Sequence, residues 1–379
     1  LETVDDLEQG VHILRDMLNN TLYCDHLKQR KNQQTIMIGY SDSNKDSGLA
    51  SARWALQNAQ VNLVQEVSER NIELHLFHGR GGTISRGGGK THTAVLNAPP
   101  GTVNGHLRVT EQGEIINEKY GLRGIALRTL EQMIGSVALA TALPEHRGND
   151  KAEWHDMMQV IADVSQQRYR DLVFNTPEFL EYFRLATPID LIERMRIGSR
   201  PASREEGVGV ESLRAIPWVF AWTQSRLMLP GWFGFGSGIF AASKKFAEAE
   251  LRDMFREWYF MRTLTSDAEM VLAKSDLGIA KLYSELSGDL HARFFPVIEK
   301  EFELTRDLIL EYSEEETLLE GDFTLQRAIM LRNPYVDPMS LMQVDLLRRW
   351  RASNYEDTDL FETLLASVNG IAQGLQNTG

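Results

Sequence analysis

Apolar residues recur at helical spacing from the first turn. Val4, Leu7, Val11, Leu14 and Leu18 form one stripe, with Thr3 at the N-cap position and Asp6 three residues on. The period then changes. Gln33-Gln34-Thr35-Ile36-Met37-Ile38-Gly39-Tyr40 is a short apolar run behind a polar cluster and predicts a buried strand. A helix is expected from about Ala50 to Arg70, a second strand through residues 72–77 and a third through 107–110. Residues 216–222, rich in aromatics, predict a fourth strand, although Pro217 would lack a ladder donor. Stretches 125–143, 152–170, 246–287, 294–319, 338–352 and 359–375 carry helical periodicity. Strand–helix–strand alternation predicts parallel βα units with functional loops at the C-terminal strand ends. The visible strands are half of what a closed (β/α)8 barrel needs, so missing chain or covering helices would have to close the edges.

Composition narrows the classes. The 379 residues carry 40 Lys+Arg against 53 Asp+Glu, a net charge of −13. That balance argues against nucleic acid or an anionic membrane as main partner, because phosphates repel such a surface. The longest weakly polar stretch, residues 230–242, falls short of the ~20 apolar residues that span a bilayer. One cysteine, Cys24, excludes an internal disulfide framework and fits a reducing, cytosolic setting. The chain opens on Leu1 with no Met and no signal-peptide pattern, and reads as an interior cut.

The densest chemical signal is His78-Gly79-Arg80-Gly81-Gly82-Thr83-Ile84-Ser85-Arg86-Gly87-Gly88-Gly89-Lys90, with six glycines in thirteen residues directly after a strand. Glycines let backbone N–H groups approach an anion, and arginines supply bidentate donors for phosphate or carboxylate. A solvated flexible loop is the plain alternative, but a linker rarely begins at a strand end with His-Gly-Arg. Gly89-Lys90-Thr91 resembles the end of a P-loop, yet Ile84 stands where that pattern needs glycine, and Pro99-Pro100 would break the following helix. A P-loop-like nucleotide-binding protein is therefore only the alternative. Asp42, Asn44 and Asp46 mimic half an EF-hand loop, but Arg53 occupies the position of its bidentate Glu. Asp46 or Ser47 is expected to cap the helix near Ala50. Asp42, at a strand end where barrels place metal ligands, and Lys45 one turn later are open to a catalytic or a turn role. Arg200 and Arg214 flank a glycine-containing loop whose Glu205, Glu206 and Glu211 could simply pair with them, while Trp218, Phe220, Trp222, Trp232, Phe233 and Phe235 read as core. No nucleophile elbow, His-Glu-x-x-His or Cys-x-x-Cys occurs, so neither serine catalysis nor a zinc site is expected.

Residues 37–46 (MIGYSDSNKD), 77–88 (FHGRGGTISRGG), 107–113 (LRVTEQG), 198–200, 211–230 (ESLRAIPWVFAWTQSRLMLP), 331–338 (LRNPYVDP) and 376–379 together resemble the phosphoenolpyruvate carboxylase family. The resemblance runs along essentially the whole chain and matches the C-terminal portion of a family chain more than twice as long. It implies an α/β, mostly helical fold: the C-terminal half of a (β/α)8 TIM-type barrel embedded in many helices. Residues 1–240 would carry barrel strands and catalytic loops. Residues 241–379 would be a helical region with an effector site and the C-terminal tail, not an independent domain.

The implied activity is that of a lyase for carbon dioxide fixation. Phosphoenolpyruvate and bicarbonate give oxaloacetate and phosphate through carboxyphosphate and the pyruvate enolate, in a cytoplasmic, allosteric homotetramer that needs Mg²⁺ or Mn²⁺. Glu2 and Asp42 resemble the metal ligands. Arg80 and Arg214 resemble phosphate-binding arginines, Arg200 an active-site arginine, and His78 and Lys45 groups that position bicarbonate or carboxyphosphate. Met37 resembles part of the apolar wall, and Gly81, Gly82 and Arg86 belong to the same loop. Arg86, Lys274, Arg332 and Asn377 resemble a feedback site for aspartate or malate, against the plainer reading that Lys274 and Arg332 pair with Asp276 and Asp337. Ser85 and Lys90 stand where the family usually has Gly and Pro, and Ser203, Glu205 and Glu206 where relatives are commonly basic. The N-terminal half of the same protein would supply a catalytic histidine and a further arginine, so the chain alone is expected to be inactive. A purely regulatory or assembly module is the non-enzymatic alternative.

Overall fold

The Asp6 amide donates to Thr3 Oγ1 at 3.1 Å and the Thr3 amide to Asp6 Oδ2 at 3.0 Å, so the expected capping box starts α1 (Val4–Asn19). There follow α2 (Thr21–Gln29), β1 (Gln33–Gly39), α3 (Ser41–Ser47), α4 (Leu49–Ser68), β2 (Glu73–Gly79), α5 (Thr91–Leu96) and β3 (Arg108–Val109). The remainder is helical: α6 (Gly113–Tyr120), α7 (Arg123–Ala142), α8 (Ala152–Val173), α9 (Phe179–Ala186), α10 (Ile189–Ile192), α11 (Ala215–Gln224) and α12 (Phe235–Lys245). Then come α13 (Glu248–Glu257), α14 (Tyr259–Lys274), α15 (Leu277–Glu285), α16 (Leu290–Ser313), α17 (Phe323–Ala352) and α18 (Thr358–Leu375). This computed structural model describes residues 1–111, 113–143, 150–195 and 209–376.

The strands form one parallel sheet in the order β1-β2-β3, with Gln33 beside Glu73, Gly39 beside Gly79 and Phe77 beside Arg108. Strand alternation decides what each face does. Ile36, Ile38, Leu74 and Leu76 turn toward α1, α2 and α4, where they pack with Leu7, Leu14, Leu27, Leu56 and Leu63. Gln33, Thr35 and Met37 occupy the opposite, exposed face. The fully buried β1 expected from its apolar run is thus half-buried. The half-barrel is likewise reduced, among the described residues, to this three-stranded open sheet.

The predicted fourth strand is α11, a correction with a clear cause. Every residue of Pro217–Gln224 is buried, so the helix is apolar all round and shows no periodicity to read. Pro217 lies in its first turn, where the missing N–H has no intrahelical partner to lose. The expected turn at 41–48 is mostly helix α3. The N-cap of α4 is Gly48 at φ 77°, with no side-chain cap, so neither Asp46 nor Ser47 caps it. Asp46 instead pairs with Arg170, and Ser47 Oγ donates to Ser43 O at 2.8 Å.

The main core is helical and draws on residues from Leu49 to Leu375, while α12 runs through position 240. The aromatics assigned to the core are there: Trp218 and Trp222 meet edge to face at 5.6 Å, and Trp232 meets Phe302 at 5.1 Å. No helix among the described residues is long and apolar enough to cross a membrane.

Candidate functional site

β1 and β2 end side by side, and the two loops singled out in the sequence leave from those ends. His78 is the penultimate residue of β2, on the helix-facing side, and is 7% exposed. Its Nδ1 lies 2.9 Å from Tyr40 Oη, at the end of β1. Burial, and then the Arg80 cation, push the His78 pKa down to about 4, so the ring is neutral at pH 7. Burial also raises the Tyr40 pKa, which keeps its hydroxyl protonated. With both groups neutral, one of the two donates to the other, and where Tyr40 is the donor the ring proton resides on Nε2.

The glycine-rich segment folds back on itself. Gly81 N donates to Arg86 O at 2.5 Å and Gly88 N to Thr83 O at 2.6 Å around a short turn at Ile84–Arg86. Gly87 requires its glycine twice over: φ is 83°, and a Cβ would fall 2.6 Å from the Tyr40 ring. Arg80 donates through Nε to Gly87 O and through Nη2 to Gly88 O at 3.2 Å, with its guanidinium 5.8 Å from the centre of the Tyr40 ring. Arg86, the other loop arginine, is 1% exposed. Lys90 leaves the loop to pair with Asp322.

Three residues complete this site that no sequence motif announced. Arg53, from α4, lies over Tyr40 at 5.4 Å and donates to Ile84 O at 3.1 Å and to Asp267 Oδ2 at 3.0 Å. Burial raises the Asp267 pKa, opposed by the Arg53 and Arg80 cations. A cavity of about 350 Å³ is lined by Tyr40, Arg53, His78, Arg80, Lys90 and Asp267 with apolar walls from Val95, Val103 and Leu264. A smaller one, about 130 Å³, lies against Arg80, Gly81, Gly82, Thr110 and Glu111. Tyr40 was visible as a residue but not as the partner of His78. Arg53 and Asp267 lie 214 positions apart, beyond any spacing rule.

The other candidates distribute as follows. Leu1 continues the ladder beside β1, its N donating to Met37 O at 3.0 Å and its O accepting from Gly39 N at 2.8 Å. That brings Glu2 against Gly39, where a Cβ would fall 3.5 Å from Glu2 Cγ. Asp42 is in the first turn of α3, three residues beyond Gly39, so both carboxylates belong to the end of β1. Two carboxylates are hard oxygen donors, the donor type that Mg²⁺ or Mn²⁺ takes. Lys45 Nζ donates to Glu211 O at 3.3 Å, tying α3 to the segment before Arg214. Arg214 precedes α11, and its Nε is buried with no hydrogen-bond partner among the described residues. Met37 is 44% exposed, and its Cε covers Gly79. Arg200, Glu205 and Glu206 lie outside the described residues, as does Asn377.

Lys274 ends α14 and shares a narrow cavity with Thr83, Ser85, Gly89 and Gln376, the residue before Asn377. Arg332 is on α17, its Nε donating to Ala328 O at 2.9 Å. Asp276 is occupied in capping α15 through the Ile279 amide at 2.8 Å, and Asp337 accepts from Arg226 at 2.6 Å. Arg226 joins the two regions, since its Nε also donates to Lys274 O at 3.3 Å.

The family model described as phosphoenolpyruvate carboxylase matches residues 1–379. A phosphoenolpyruvate carboxylase of Xanthomonas oryzae pv. oryzae is 52% identical over 379 residues, all of this chain and 42% of the relative. Those of Azoarcus sp. and Corynebacterium efficiens are 44% and 40% identical, again over all of this chain and 42% of theirs. The chain thus spans less than half the length of these curated relatives. With a match that is unbroken from Leu1 to Gly379, the chain belongs to the phosphoenolpyruvate carboxylase family.

Proposed function

We propose that the whole protein carboxylates phosphoenolpyruvate with bicarbonate to give oxaloacetate and phosphate, and that this chain supplies one wall of the active site. What supports the reading is that His78 and Arg80 sit at the end of β2, Glu2 and Asp42 beside the end of β1, and Lys45 ties α3 to the segment before Arg214, in a chain that matches the family from end to end. His78 and Arg80 line a cavity large enough for a three-carbon phosphate ester.

Each side chain then has a physical task. Neutral His78, held at Nδ1 by Tyr40, presents Nε2–H to an oxygen of bicarbonate or carboxyphosphate. Arg214 brings a buried donor to the phosphate. Arg80 has to exchange the Gly87 and Gly88 carbonyls for the substrate's phosphate, a change that the neighbouring glycines can absorb. Glu2 and Asp42 would hold Mg²⁺ or Mn²⁺, which when bound stabilises negative charge on the substrate's oxygens and orients its phosphate. Met37 gives an apolar wall beside Gly79.

The N-terminal half of the same protein completes the site, and by the Leu1 ladder beside β1 it would continue the sheet toward a (β/α)8 barrel. A cytoplasmic homotetramer is part of the same reading, with aspartate or malate as inhibitor at Arg86, Lys274, Arg332 and Asn377. Lys274 lies against the glycine-rich loop, so an effector there would bias the loop that carries Arg80.

One set of coupled oxaloacetate assays tests this. The full-length protein should turn over only with a divalent cation. Asp42→Asn should raise the Mn²⁺ requirement by at least about tenfold, and Lys274→Ala should relieve aspartate inhibition by roughly tenfold or more. The isolated chain should be inactive. A full-length protein that forms no oxaloacetate overturns the reading, and turnover by the isolated chain overturns the dependence on the missing half.

A further inference from the structure

At the opposite end of β2 from His78, two imidazoles and a carboxylate converge. Glu73 and His75 are two apart on one strand and therefore share a face, the exposed face of the sheet. The register pairs Phe77 with Arg108, and two residues earlier it places His106 beside His75. The side chains confirm it: the Arg108 guanidinium lies 4.6 Å over the Phe77 ring, and the His75 and His106 rings stack at 4.5 Å with 27° between planes. His75 Nε2 is 2.9 Å and His106 Nδ1 4.0 Å from the same oxygen, Glu73 Oε1. One ligand atom from each residue lies within 4.8 Å of the others.

We propose that Glu73, His75 and His106 form a binding site for a borderline divalent metal of the Zn²⁺ class, separate from the two carboxylates at the end of β1. The donor set is chemically apt: two neutral imidazoles and one carboxylate, with water as the fourth ligand, make a tetrahedral zinc site. Metal–ligand bonds of about 2.0–2.2 Å put tetrahedral ligand atoms about 3.3 Å apart. The observed 2.9 and 4.0 Å to Glu73 Oε1 bracket that spacing, and all three ligand atoms lie within 4.8 Å of one another, so side-chain rotation is the adjustment the site requires. His106 Nδ1 lies 3.2 Å from Asn104 O, a carbonyl that only accepts, so Nδ1 donates there in the metal-free chain; ligation through Nδ1 gives up that hydrogen bond and leaves the ring proton on Nε2.

Two further features fit the site. Gln33, the registered neighbour of Glu73 on β1, donates to Glu73 Oε2 at 2.8 Å and leaves Oε1 for the metal, the outer-shell arrangement that orients a ligating carboxylate. His106 is largely exposed, which gives an ion its path in. The ligands come from two strands, and for that reason no local motif betrayed them. Bound metal would staple the entry to β3, a strand of only two residues, onto β2, whose far end carries His78.

The test uses the 379-residue chain, stripped with chelator and titrated with Zn²⁺ by calorimetry and with Co²⁺ by visible absorption. The expected result is one site per chain, four-coordinate Co²⁺ bands, a melting temperature that rises with Zn²⁺, and no displacement by excess Mg²⁺. His75→Ala and His106→Ala should each weaken Zn²⁺ by about a hundredfold or more and abolish the bands, and Gln33→Ala should weaken it roughly 10–100-fold. His106→Ala is the decisive variant, because that exposed side chain can be lost without unfolding the chain. Equal Zn²⁺ affinity in wild type and His106→Ala, or no stoichiometric binding by wild type, overturns the site.

Discussion

His78 shows how far an environment can move a single side chain. Its ring is buried between Tyr40 and the loop cation Arg80, and burial is the larger cause of the fall to about pH 4. The folded value lies below the ordinary unfolded value near 6.5, so unfolding takes up a proton between them. The contribution of neutral His78 to stability is present in full above about pH 6.5 and is lost as pH falls toward 4. Between pH 7 and pH 5 the wild-type chain should therefore lose about 1–2 kcal/mol more stability than His78→Gln. Denaturant melts of both proteins across that range measure it, and parallel curves would remove the assignment of a buried neutral ring. The sequence offered His78 and Arg80 through their place after a strand, but not Tyr40, Arg53 or Asp267. Those three are coupled through space across α4, β1 and α14, and a periodicity carries no information about such pairs.

Elements were legible where one face is wet and illegible where none is. The stripe of α1 was legible because solvent marks its polar side, whereas β1, read as a buried apolar run, shows its half-exposed alternation only in the structure. α11 was misread because no polar side exists, and α17 was read short because Pro334 and Pro338 look like breaks in what is one helix. The turn between α16 and α17 carries a testable charge. Glu269, on α14, accepts from Leu319 N at 3.1 Å in that turn. Burial is the largest cause lifting Glu269 to about 8; the Leu319 amide opposes it and the Glu315 carboxyl adds to it. A carboxyl whose folded pKa is raised contributes stability below its unfolded value near 4.5, and that contribution is lost as pH climbs through about 8. Glu269→Gln keeps the acceptor oxygen and removes the charge. Its melting temperature should match wild type at pH 5 and exceed it by roughly 2–4 °C at pH 9. A variant less stable at both pH values would show that the carboxyl is not strained by its burial. The same turn ends at Asp322, which caps α17 and pairs with Lys90 of the glycine-rich loop, so its stability bears on the site.

On the scale of the molecule, α7 and the open face of the sheet leave apolar side chains exposed. Leu127, Leu130 and Ile134 lie at i, i+3 and i+7 on α7 and are 56%, 46% and 69% exposed, one stripe on the side away from the small residues Ser136 and Ala140 that pack the helix inward. Met37 is exposed on the open face of the sheet as well. The relatives are more than twice as long as this chain, and under the proposed function the remainder of the whole protein would cover both surfaces. If that is so, a charge on the stripe should act differently in the two contexts. In the isolated 379-residue chain, Ile134→Asp should reduce self-association seen by light scattering and change stability by less than about 0.5 kcal/mol, because the side chain is 69% exposed there. In the full-length protein the same substitution would bury an unpaired carboxylate and should lower the melting temperature and the oxaloacetate-forming activity together. An Ile134→Asp full-length protein with wild-type stability and activity would show that the α7 stripe faces water in the intact enzyme, and the cover would then have to lie over the sheet alone.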